Sequence, residues 1–96
     1  SSRNNYLTAA EREMAPTLYK ILQATAKEIK SGQRNYERLT RLAKESLHAA
    51  GFTPDYFNIS RQLDLEPAQT QDTQVVILAA AYLGKARLID NITFEL

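Results

Sequence analysis

Ninety-six residues suffice for one modest hydrophobic core and not for two, so a single domain is expected. A hydrophobic share of 44% beside 24% charged residues is ordinary globular composition and argues against disorder or a fibrous repeat. The net charge of +1 supplies no long-range pull toward nucleic acid or anionic lipid, and the lack of cysteine excludes a disulfide framework and thiolate chemistry. The longest apolar run, Val75 to Leu83, is nine residues, about half of what a membrane-spanning helix needs. Charge is unevenly spread. Residues 1 to 50 carry nine Lys/Arg against five Asp/Glu, and residues 51 to 96 carry three against six, or +4 and −3 for the halves.

The chain opens on Ser1-Ser2-Arg3-Asn4-Asn5-Tyr6-Leu7-Thr8 without a methionine or a signal-peptide pattern, which reads as a piece of something larger. Two hydroxyls, a guanidinium and a carboxamide form a donor-rich run suited to gripping phosphate oxygens, and equally the composition of a frayed terminus. Thr8 with Glu11 makes a capping box, so a helix is expected from about residue 9. Met14, Leu18, Ile21, Leu22, Thr25 and Ile29 then recur at helical spacing up to a C-terminal Gly32. Pro16 lies inside that pattern and should kink the helix or split it into a short and a long piece.

Asn35 can cap a second helix with an apolar stripe of Tyr36, Leu39, Ala43 and Leu47 that stops at Gly51. Its other face carries Arg34, Arg38, Arg41 and Glu45, and i,i+4 pairs of Glu37 with Arg41 and of Arg41 with Glu45 should partly neutralise the basic row. The short connection predicts an antiparallel helical hairpin. Past Gly51 the period becomes alternating. Tyr56 to Ser60, introduced by Pro54, reads as a strand, Gln62 to Asp72 as a loop, and Thr73 to Leu83 as a central strand covered by helix on at least one side. Gly84-Lys85 has the form of a type II′ hairpin turn. The return strand runs from Ala86 to Leu96 with Leu88, Ile92, Phe94 and Leu96 on one side, and Ile89, out of phase, predicts a bulge near Asp90. The fold class is therefore α+β: an antiparallel helical hairpin, its first helix kinked near Pro16, packed on a small antiparallel sheet of about three strands.

A self-contained catalytic constellation is missing. His48 is the sole histidine, sits near a helix end and reads as structural. No carboxylate pair, glycine-rich phosphate loop or thiolate metal site can be assembled, and no metal ligands are assigned.

Two separated stretches carry a resemblance. Ser1-Ser2-Arg3-Asn4-Asn5-Tyr6-Leu7 with Glu11-Arg12, Ala15-Pro16 and Leu18-Tyr19 is similar to the opening of the C-terminal domain of the pantoate-β-alanine ligase family. Val76-Ile77-Leu78, Ala80-Ala81, Tyr82-Leu83-Gly84 and Ala86-Arg87-Leu88-Ile89-Asp90-Asn91 resemble its closing hairpin. The chain departs from the family at Arg61-Gln62-Leu63-Asp64-Leu65, where an acidic Asp-Pro type turn is common, and a structural turn is expected.

The resemblance implies one C-terminal lid domain over 1–96: a hinge and phosphate loop at 1–7, helices at 8–50 and the sheet at 51–96. The N-terminal Rossmann-like domain that completes such enzymes is not part of this chain. It implies condensation of pantoate and β-alanine with ATP and Mg²⁺ through a pantoyl adenylate, in a cytoplasmic enzyme that dimerises through that other domain. Carried over by position, Ser1, Ser2 and Arg3 hold ATP phosphates, with Arg3 the catalytic residue that steadies the leaving pyrophosphate. The 96-residue chain alone is expected to be inactive and to hold no ligand. The competing reading is a free-standing module that binds an acidic partner or RNA through the basic helical row.

Overall fold

The computed structural model describes residues 9–96. Helices α1 (Ala9–Met14), α2 (Pro16–Lys30) and α3 (Tyr36–Ala49) precede strands β1 (Thr53–Arg61), β2 (Gln74–Leu83) and β3 (Ala86–Glu95). The sheet is antiparallel with order β1-β2-β3. It carries the helix layer on one face, and the fold class is the one expected.

The helix boundaries follow from local chemistry. Pro16 occupies the first helical position of α2, where its missing N–H costs nothing, and the chain breaks at Ala15 so that α1 is a separate turn and a half. Of the expected capping box, Thr8 and the Glu11 side chain lie outside the described residues. Asn35 caps α3, its side chain accepting from the Arg38 N–H at 3.1 Å. Both long helices end in a Schellman motif with glycine just beyond the cap. Gln33 N–H reaches the Glu28 carbonyl past Gly32, and Phe52 N–H reaches the Leu47 carbonyl past Gly51. At φ +120 and +97 these two positions suit glycine alone.

The second of those motifs also places the sheet, because Phe52 and Leu47 are both fully buried and the chain passes at once into β1. α3 lies along β1, with Tyr36 beside Phe57 to Ser60 and His48 beside Pro54, so the two run in opposite senses. α2 covers β2 and β3, with the Lys30 ammonium 5.6 Å above the Phe94 ring. β2 supplies Val75, Ile77, Ala79, Ala81 and Leu83 to the core, where they meet Leu18, Leu22, Ala26 and Ile29 from α2 and Leu39, Ala43 and Leu47 from α3. The small Ala79 and Ala81 let the helix layer approach closely. Met14, expected in the stripe, is instead 36% exposed, because the break at Ala15 separates α1 from the packed face of α2.

The strands differ from expectation in two respects. β1 extends beyond Tyr56–Ser60 at both ends, and the bulge lies in it: the register steps from Pro54↔Ala81 to Tyr56↔Ala80, leaving Asp55 as the extra residue. No bulge occurs near Asp90, since β2 and β3 pair without interruption from Gln74↔Glu95 to Leu83↔Ala86. Ile89 is in phase and simply faces outward, 45% exposed. The connecting turn has positive φ at Gly84 and not at Lys85, as type II′ requires.

Both sheet edges are partly closed. Along β1, the Ile59 carbonyl accepts from the Ala68 N–H and the Arg61 N–H donates to the Glu66 carbonyl, so residues 66–68 act as a short extra strand. Along β3, the Asp90 carboxylate turns back to accept the N–H of Asn91 at 2.8 Å. The turn at 62–65 is structural, as expected: Arg61 pairs with Asp64 at 2.7 Å, and Asp64 accepts the Glu66 N–H while Leu65 adopts φ +61.

Candidate functional site

Ser1, Ser2 and Arg3, the residues to which phosphate binding is assigned by resemblance, lie outside the described residues. The described scaffold does define where that stretch is attached. α2 runs in the same sense as β3 and reaches Phe94 with its last residue, so its N-terminus, and α1 before it, belong to the end of the domain where β2 turns into β3.

That end carries a charged and aromatic cluster on the face away from the helices. The Arg87 guanidinium donates to Asp55 Oδ2 through Nη2 at 2.8 Å and Nε at 3.0 Å, and lies 5.8 Å from the Tyr56 ring centroid. Three strands assemble it: Asp55 is the bulged residue of β1, Arg87 opens β3, and Tyr82 of β2 stands directly across from Arg87. The hydrogen bonds that Arg87 donates to the Asp55 carboxylate raise its pKa further, so the group is a fixed cation and cannot shuttle a proton. With its charge matched by Asp55, it orients rather than reacts. Sequence reasoning missed this cluster, because Asp55 and Arg87 are 32 positions apart and the bulge that presents Asp55 has no local signature.

A groove of about 560 Å³ runs between α3 and the edge of β1, lined by Tyr36, Thr40, Phe57, Ser60 and Leu65 among others. The Tyr36 hydroxyl is buried there without a partner, and burial raises its pKa. Among the described residues no hydrogen-bonded nucleophile–base pair faces the groove. His48 is exposed in the last turn of α3. Among the described residues no three His, Cys, Asp or Glu side chains gather into a metal-binding group.

The basic row of α3 is weaker than its sequence suggests. Arg34 turns back to donate to the carbonyls of Ile29 and Gln33, closing the end of α2. The expected pairs of Arg41 with Glu37 and Glu45 are not closed, so Arg38 and Arg41 are separate solvated charges rather than a built anion site.

Neither the cluster nor the groove carries chemistry alone, and the opening stretch is a candidate site by resemblance only. The profile of the family described as pantoate-beta-alanine ligase matches residues 1–93 and so includes that stretch. The chain belongs to the pantoate-β-alanine ligase family. A pantothenate synthetase of Shewanella baltica (strain OS223) is 57% identical over 95 residues, covering 99% of this chain and 34% of the relative. That of Hahella chejuensis is 50% identical over 96 residues, with 100% and 34% covered. The crystal structure of pantothenate synthetase from Thermus thermophilus superposes with a TM-score of 0.83 at 35% identity, over 96% of this chain and 33% of that one. The chain thus spans about a third of the length of the pantoate-β-alanine ligases it matches. Nothing in these relationships favours a free-standing RNA or acidic-partner module.

Proposed function

We propose that this chain is the C-terminal lid domain of an ATP-dependent, AMP-forming ligase that joins pantoate to β-alanine. The observation that carries the reading is the family match over 1–93, which spans both the donor-rich opening and the two-layer scaffold behind it. The shared length, about a third of each relative, supports a division of labour. An N-terminal Rossmann-like domain, through which the enzyme dimerises in the cytoplasm, holds the nucleotide and both substrates, and this domain closes over them.

In that division Ser1 and Ser2 donate hydrogen bonds to ATP phosphate oxygens, and Arg3 offers a planar fork of donors to the same group. ATP with Mg²⁺ supplies an activated phosphoryl centre. Pantoate carboxylate attacks the α-phosphorus, the bond to pyrophosphate breaks, and the amine of β-alanine later displaces AMP from the acyl group. Arg3 matters most in the first step, where negative charge accumulates on the departing pyrophosphate, because a donor fixed in place stabilises that charge without reorganising. Among the described residues no helix is long and apolar enough to cross a membrane.

The test is a single-turnover assay in the full-length enzyme. Arg3→Ala should slow adenylate formation by about 10²–10³-fold and leave the amide-forming step, started from preformed adenylate, nearly unchanged. An unchanged adenylation rate removes Arg3 from the mechanism. The 96-residue chain by itself should release neither AMP nor pyrophosphate.

A further inference from the structure

We propose that Pro16 is a positioning residue for Ser1 to Arg3, setting through α1 the angle at which that stretch meets the nucleotide; the inference rests on the lid reading above. Apart from Pro16, nothing local ends a helix here. Ala15 has helical backbone angles, φ −54 and ψ −41, and α2 begins with no side-chain cap and no acidic residue in its first turn. An independent helix start favours such features, whereas a bend within one helix has no use for them. α1 and α2 are therefore one helix interrupted by a ring that cannot donate to the Arg12 carbonyl and crowds it.

The two sides of the joint are held differently. After it, α2 is anchored by Leu18, Leu22, Ala26 and Ile29, all buried in the core. Before it, Ala9, Arg12, Glu13 and Met14 of α1 are exposed, so packing around these side chains does not fix the direction of α1. That direction is set at the joint. A proline kink exceeds about 20°, and over the six residues of α1, about 9 Å of helix, it moves the start of α1 by about 3 Å. Arg3 precedes Ala9 by six positions. A misplacement of about 1 Å can cost about 10²-fold in rate, so a bend of this size matters for a guanidinium that has to meet the departing pyrophosphate.

Single-turnover assays in the full-length enzyme test Pro16 beside Arg3. Pro16→Ala supplies the N–H that continues the helical ladder and straightens α1 onto α2. Adenylate formation should slow by about ten-fold or more, with the amide-forming step from preformed adenylate nearly unchanged. The melting temperature should hold or rise, since the core contacts of α2 are untouched. Hydrogen exchange should find the new amide at position 16 protected. An unprotected amide shows that the break does not depend on Pro16 and overturns the proposal. Added to Arg3→Ala, the same change should slow adenylation no further, because a positioning residue acts only through the group it positions. An unchanged adenylation rate in Pro16→Ala overturns the proposal, and so does an additive double variant. Equal slowing of both steps with a lower melting temperature also overturns it, since the role is then structural alone. If Arg3→Ala by itself is slow, these failures leave the lid chemistry standing. A full adenylation rate in Arg3→Ala defeats the lid chemistry, and this inference with it.

Discussion

The two faces of the central strand β2 obey the same alternation and answer to different partners. Toward the helices it presents Val75, Ile77, Ala79, Ala81 and Leu83, all inside the core. On the other side it presents Val76, Leu78, Ala80 and Tyr82, flanked by serine, threonine and asparagine. Hydrophobic residues on both faces make the sequence of β2 look buried throughout; among the described residues helices cover one face, while on the other Val76 and Ala80 are still buried and Tyr82 is 41% exposed. The difference teaches that an apolar run fixes a strand's central position before it fixes how many of its faces are packed.

The sharpest way to break this comparison is a pair of truncations one residue apart. Ile77→Ala opens a cavity under both helices and should cost about 2–5 kcal/mol, whereas Leu78→Ala on the half-open face should cost clearly less. Urea denaturation of the 96-residue chain reads both, and equal losses would mean that the two faces are equally packed. A smaller effect is expected at the ion pair on the open face. Asp55 and Arg87 have side chains more than a third exposed, so solvent screens them, and Asp55→Asn should cost little stability. A larger loss would show that the pair also holds the bulge in β1.

The smallest effect belongs to the turn that closes the β1 edge. The Glu66 N–H holds the Asp64 carboxyl below its ordinary pKa; desolvation opposes it, and the Arg61 guanidinium adds to the lowering. A depressed folded-state pKa means that the contribution is complete above the unfolded pKa, near pH 4, and is lost as pH falls through the folded value. Thermal melts between pH 7 and pH 2 should therefore show a slightly shallower acid decline for Asp64→Asn than for the parent. A steeper decline would reverse the sign.

Much of the scaffold was legible because single residues control it. Asn35, Gly32, Gly51 and Gly84 each stand where a cap or a turn demands that residue type, and Pro16 split the first helix at the expected place. The errors arose where the decisive partner is distant in sequence. Ile89 reads as a slipped residue only if every exposed position must be polar, a condition that an antiparallel sheet with one open face does not impose. The Asp55 bulge depends on fitting Pro54 at an edge, and the Arg87 cluster on strands that meet only after folding. At the candidate site, Ser1 to Arg3 were assigned by resemblance. The composition of that stretch admits phosphate binding without requiring it, and it lies outside the described residues.

The bond from Asn91 N–H to the Asp90 carboxylate has a consequence for the molecule in a crowded solution. β3 is long, regular and free of proline, the kind of edge to which a stray strand can add and seed aggregation. Asp90 uses up the donor at the middle of that edge and places a negative charge beside it, so an incoming chain loses a hydrogen bond where alignment matters most. One carboxylate thereby protects a strand that no loop covers among the described residues.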